Sequence, residues 1–155
     1  MANNDTLRGI RDALNIDDTA MIHIFRESGR EVGQSTISAF LKSEDEDGYI
    51  PCNDPVLGFF LDGLIIHKRG RKDDKPSSPA QPVVSLTKND IVKKLRIALE
   101  LKEDDLVSIF KSGRIEISKN DLRAFFRKEG NKHYKECNDK IFNGFIKGLT
   151  LYCRS

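Results

Sequence analysis

The chain has 155 residues, of which 38% are hydrophobic and 32% charged, with a formal net charge of +2. That length allows one domain or two small ones, and no apolar run approaches the ~20 residues that a membrane-spanning helix needs. The start, Met1-Ala2-Asn3-Asn4-Asp5, has neither basic residues nor an apolar stretch. No secretory signal is read there; with three Cys read as free thiols, a cytoplasmic protein is expected.

The first predicted helix carries Leu7, Ile10 and Leu14 at i, i+3 and i+7, behind Asn4-Asp5 as its N-cap. The second starts at Asp17-Asp18, where carboxylates complement the helix dipole, buries Met21, Ile22 and Phe25, and closes at Gly29. The third carries Ile37, Phe40 and Leu41. After the acidic loop from Ser43 to Gly48, Asp54-Pro55 caps and opens a fourth helix whose core face is Val56, Phe60 and Leu64. Gly63 inside that helix costs ~1 kcal/mol relative to alanine, which points to close packing of another helix there. A basic, proline-containing stretch follows, through Pro76, Pro79 and Pro82, and reads as an extended linker.

The whole pattern then returns. Residues 4–64 recur as 89–149 at a constant offset of 85. Arg11, Ala13 and Leu14 match Arg96, Ala98 and Leu99; Tyr49 and Cys52-Asn53-Asp54 match Tyr134 and Cys137-Asn138-Asp139; Gly63-Leu64 matches Gly148-Leu149. Val92, Leu95 and Leu99 form the next helical face. Leu106, Val107 and Phe110, ended by Gly113, then Leu122, Phe125 and Phe126, then Ile141, Phe145 and Leu149 complete the second set. No stretch alternates with period two. The expected fold is all-α: two tandem homologous four-helix modules of about 65 residues packed together, with module one at 1–68, a linker at 69–87 and module two at 88–155.

Duplication tests each candidate chemistry, since a site essential to the module should occur twice. Asp45, Asp47 and Gly48 invite a calcium-loop reading, but Ser43 and Asp54 are poor end ligands. The second copy offers Lys128, Gly130, Lys132 and His133 instead. His133 and Cys137 have a ligand-like spacing without a second pair to complete a zinc set. Neither metal nor cofactor is expected. Cys52 and Cys137 lack a repeated base, since His23, His67 and His133 have no histidine at the equivalent positions; they read as small buried thiols beside an N-capping Asp. No catalytic residues are assigned, and the chain is read as no enzyme.

Four residues are candidates for contact with a partner. Arg11 and Arg96 recur beside core positions and read as partly buried, paired with a repeated acid such as Asp5 or Asp54, or as contacts to a partner carboxylate. Tyr49 and Tyr134 read as loop anchors. A nucleic-acid reading rests on Val32 through Phe40, which has the rhythm of a recognition helix. Its second copy carries Lys119, Arg123, Arg127 and Lys128, and Lys68, Arg69, Arg71 and Lys72 form a basic arm. Against it, residues 1–66 carry a balance of −7, whereas 67–88 carry +4 and 89–155 carry +5. Duplex binding favours positive charge on both modules.

Phe40-Leu41-Lys42, Glu44-Asp45-Glu46, Tyr49, Cys52, Asp54, Phe60-Leu61, Gly63-Leu64-Ile65 and Lys68-Arg69-Gly70 resemble the YehS-like bacterial family, as does Lys93-Lys94-Leu95-Arg96-Ile97-Ala98. The resemblance spans roughly residues 3–150. It implies a duplicated helical module in a bacterial cytoplasm and supplies no catalytic residues. The expected function is therefore a non-enzymatic interaction protein binding a protein partner or a second copy of itself. A nucleic-acid-binding regulator is the alternative.

Overall fold

The computed structural model describes residues 2–70, 86–128 and 130–154. Among them are eight helices and no strand: α1 (Asn3–Leu14), α2 (Asp18–Glu27), α3 (Gln34–Phe40), α4 (Asp54–Arg69), α5 (Lys88–Leu99), α6 (Glu103–Ser112), α7 (Lys119–Phe125) and α8 (Asp139–Arg154). They form two compact units, residues 1–86 and 87–155. No helix among the described residues is long and apolar enough to cross a membrane.

Each unit wraps four helices around one aromatic cluster. In the first, Phe25 of α2 meets Phe60 of α4 at 5.5 Å between ring centroids and Phe40 of α3 at 6.4 Å. The second unit repeats this with Phe110, Phe145 and Phe125 at 5.1 and 6.1 Å. Burying one such ring contributes ~1.5–3 kcal/mol, so the triplet is the main apolar anchor of a small module. The α2–α4 and α6–α8 pairs are the closest packed. A Cβ on Gly63 would overlap the Ile24 carbonyl oxygen, and one on Gly148 the Ile109 carbonyl oxygen. The intrahelical glycines thus have the packing role expected of them.

Several local expectations shift by a residue or two. On α2 and α6 the fully buried positions are Ile24 and Ile109, while Ile22 and Val107 are only half-buried. Leu14, Leu99 and Ile141 are likewise half-buried, and Ala13, Ala98 and Phe142 fill the core in their place. The α4 cap is Asn53, whose side chain accepts from Val56 N–H, with Asp54 and Pro55 as the first two helical residues. Asn138 does the same for Ile141 at 2.9 Å.

Gly113 does not close α6 in the left-handed conformation. It has φ −85°, and Arg114 takes the positive φ of 65° where the first unit has Gly29 at 89°. Gly113 is kept small for another reason: a Cβ there would overlap the Gly144 carbonyl oxygen of α8. The first unit has Ser28 and Phe59 at these places, and Ser28 Oγ donates to the Phe59 carbonyl at 2.7 Å.

Candidate functional site

The most heavily duplicated polar residues serve the scaffold. Asn4 and Asn89 were expected to cap α1 and α5, but those helices begin at Asn3 and Lys88, so both asparagines lie inside the first turn. The caps are Ala2 and Thr87, with Asp5 and Asp90 returning a carboxylate to the cap N–H. The asparagines turn inward and are only 2% and 4% exposed. Asn4 Nδ2 donates to the carbonyls of Phe40 and Ile50, both at 2.9 Å, and Oδ1 accepts from Cys52 N–H at 2.9 Å. Asn89 repeats all three bonds with Phe125, Lys135 and Cys137 at 2.9, 2.8 and 2.8 Å. One amide thereby ties the end of the third helix, the following loop and the entry to the fourth helix onto the first helix. The sequence held a signal for this: Thr87-x-x-Asp90 already forms a complete capping box, which leaves Asn89 free for another task.

The repeated cysteines sit under this clamp. Burial pushes the Cys52 thiol up to about 12, with the neighbouring Asp54 carboxylate adding to the shift. Burial likewise raises Cys137 to about 12. A thiol held protonated at neutral pH is a poor nucleophile and a poor metal ligand. Among the described residues no cluster of His, Cys, Asp or Glu is arranged to hold a metal ion.

The predicted contact residues part company. Arg11 is half-buried and pairs with Asp18 at 2.9 Å, neither Asp5 nor Asp54; Asp5 is taken by Arg8. Asp54 instead accepts from Asn3 Nδ2 at 2.7 Å and Leu86 N–H at 2.9 Å. Arg96 forms no ion pair with a described residue, and the counterpart of Asp18, Glu103, pairs with Arg123 instead. Arg96 Nε donates to the Leu101 carbonyl at 3.2 Å, and its guanidinium lies over the Phe126 ring at 5.1 Å. Tyr49 is half-buried and its hydroxyl donates to Asn4 Oδ1 at 3.1 Å, which fits the loop-anchor reading.

The basic residues also separate. Lys119 pairs with Asp104 at 2.8 Å and Arg123 Nε with Glu103 at 3.3 Å, so α7 shares its cationic side with the acidic start of α6. Because α7 ends at Phe125, Arg127 and Lys128 lie in the following loop and not on a recognition helix. Lys68 and Arg69 form the last turn of α4, and Arg71 and Lys72 lie outside the described residues.

Arg127 and Lys128 line a groove of about 330 Å³ with Lys93 of α5. Thr87, Asn89, Asp90, Phe125, Phe126 and Tyr134 complete its walls. Phe125 is buried, and Phe126 and Tyr134 are half-buried, giving an apolar floor under a basic rim. Lys93, Arg127 and Lys128 are exposed and form no ion pair with a described residue, unlike Lys119, Arg123 and Lys135 nearby. In the first unit the residue equivalent to Lys93 is Arg8. Its guanidinium donates to the Lys42 carbonyl at 2.9 Å and pairs with Asp5, so that cation is spent within the module. Sequence reading missed Lys93 because it differs from Arg8 only in reach and fork geometry.

The family described as "Protein of unknown function (DUF1456)" matches residues 3–70 and again 88–155. The curated relative "Uncharacterized protein YehS" of Escherichia coli (strain K12) is 34% identical over 150 residues, covering 97% of this chain and 95% of the relative. No solved structure matches. The family resemblance and the tandem helical modules read from the sequence are both upheld.

Proposed function

The chain belongs to the DUF1456 family of proteins of unknown function, and we propose that it is a non-enzymatic binding protein whose second module takes an acidic segment of a protein partner. The observation that carries this reading is the groove rimmed by Lys93, Arg127 and Lys128, three cations that form no ion pair with a described residue. A volume of about 330 Å³ is at the low end of ligand sites and suits a few side chains of an extended segment. The three exposed cations outnumber the one lining carboxylate, Asp90, which accepts from the Thr87 N–H, so the groove keeps a positive balance that an acidic partner relieves. The repeated polar groups support the same reading from the other side, because Asn4 and Asn89 are each engaged inside their own module and burial keeps the thiols of Cys52 and Cys137 protonated. Cys52, Cys137 and Cys153 are in no disulfide, which fits a reducing compartment such as the cytoplasm.

The nucleic-acid alternative draws on Lys119 and Arg123, whose pairing with Asp104 and Glu103 sets carboxylates beside the face that would meet phosphate. Fluorescence anisotropy separates the two readings. A labelled ten-residue Glu/Asp peptide should bind the full chain at low salt. Binding should weaken as salt rises and be lost in a Lys93→Glu, Arg127→Glu, Lys128→Glu variant. Tighter binding of a duplex oligonucleotide, abolished by Lys119→Glu with Arg123→Glu, would replace this reading with the alternative.

A further inference from the structure

We infer that the acidic segment seated in the groove is the loop of residues 43–50 of a second copy of this chain. The inference rests on the groove reading above and adds the identity of the occupant. Glu44, Asp45 and Asp47 are exposed, and their carboxylates form no ion pair with a described residue. Glu46 is held by the loop itself, accepting from Ser43 N–H at 3.1 Å, and Lys42 Nζ donates to the Asp47 backbone carbonyl at 2.8 Å. The loop is therefore shaped from within while three carboxylates point to solvent. Three residues after Asp47 stands Ile50, 43% exposed and one of three exposed large hydrophobic residues among those described. The run Glu44-Asp45-Glu46-Asp47 followed by Ile50 matches the groove twice: carboxylates to the Lys93, Arg127 and Lys128 rim, and an apolar side chain to the floor of Phe126 and Tyr134.

Residues 43–50 align with 128–135 at the offset of 85, a segment that gives Lys128 and Tyr134 to the groove, while Lys93 and Arg127 align with the cations Arg8 and Lys42. The duplicated segment has diverged in charge: Ser43, Asp45, Asp47 and Ile50 stand where the second copy has Lys128, Gly130, Lys132 and Lys135, so it is acidic in one module and basic in the other. Like-with-like contact between first modules is repelled, as is contact between second modules, whereas first-with-second contact is attracted. That is the pattern of a heterologous interface, in which each chain offers one loop and one groove. Opposite potentials across it raise the rate of encounter and select the pairing.

Sedimentation velocity on the full chain tests this. The wild type should sediment faster as its concentration rises in about 50 mM salt and return toward monomer in about 500 mM, because exposed charge pairs are screened. A groove variant (Lys93→Glu, Arg127→Glu, Lys128→Glu) and a loop variant (Glu44→Lys, Asp45→Lys, Asp47→Lys) should each associate at least ~10-fold more weakly than wild type. All six side chains are exposed, so both variants should keep the wild-type circular dichroism. An equimolar mixture of the two variants should regain association, since each then meets its opposite charge. A monomeric wild type at low salt, undiminished association in either variant, or a mixture no better than its parts would overturn the inference. If the synthetic acidic peptide binds the groove while the full chain stays monomeric, the groove reading survives and the second copy is ruled out as its occupant.

Discussion

Replacing Asn89 by alanine should unfasten the second module. The amide makes three bonds, two donated to the Phe125 and Lys135 carbonyls and one accepted from Cys137 N–H, all between 2.8 and 2.9 Å. At ~1 kcal/mol net for each bond, their loss costs ~3 kcal/mol. The truncation also leaves the Cys137 N–H and the Phe125 carbonyl buried without partners, which adds ~1–3 kcal/mol. The sum, ~4–6 kcal/mol, compares with a total of roughly 3–10 kcal/mol for a module of this size. Hydrogen exchange read by mass spectrometry on peptides from residues 87–155 is the suitable assay, since it reports opening free energy locally. In Asn89→Ala, α5 and α8 should exchange many-fold faster. Asn89→Asp should not rescue them at neutral pH, because a buried carboxylate facing two carbonyls cannot replace the donated bonds. Asn4→Ala should do the same to peptides from residues 2–70. An opening free energy lowered by less than ~1 kcal/mol in Asn89→Ala would refute the clamp, because that is the worth of a single ordinary hydrogen bond.

The other predictions concern packing, backbone strain and the thiols. Gly148→Ala sets a methyl against the Ile109 carbonyl oxygen, where no flexible side chain can give way. Its urea midpoint should fall by the equivalent of ~3 kcal/mol, and a neutral result would show that α6 and α8 can slide apart freely. Arg114 holds φ 65° at the place of Gly29, so Arg114→Gly should raise the unfolding free energy and Gly29→Ala lower it, each by ~1 kcal/mol. Equal signs for the pair would contradict the equivalence of the two turns. For the thiols, native protein at pH 8 should react with a disulfide reagent at the exposed Cys153 and spare Cys52 and Cys137 until denaturant is added. An acid whose folded pKa is raised above its unfolded value stabilises the fold below the unfolded pKa. That contribution is therefore present below about pH 9 and is lost as pH climbs toward about 12. A native chain that exposes all three thiols to rapid reaction at pH 8 would remove the burial argument.

Much of the helical framework was legible because its causes are local or repeated. The 3.6-residue spacing of Leu7 and Ile10, the acidic start Asp17-Asp18 and the intrahelical Gly63 each state a physical requirement within a few residues. The offset of 85 then supplied a second reading of every one. Errors arose where a residue type serves two purposes. Asn4 suits a cap as well as a buried clamp, and its partners lie 36 to 48 positions away. Arg11 had several acids within plausible reach, and α1 and α2 select Asp18. Gly113 carries the helix-ending signature, yet its small size serves the contact with Gly144.

The candidate site was legible only in fragments. Arg127, Lys128 and Tyr134 were named, but as parts of a recognition helix and a loop anchor, and Lys93 was passed over. A groove is made by side chains from segments distant in sequence, so periodicity does not record it. The sequence by itself determined two all-helical modules, their shared apolar positions and their opposite charge. Tertiary structure decided which charges are consumed within a module and which remain. Arg8 folds back onto Asp5 and the Lys42 carbonyl, while Lys93 is left beside Arg127 and Lys128. The physical reason is that pairing depends on the distance and direction between side chains, and those exist only once the helices are packed.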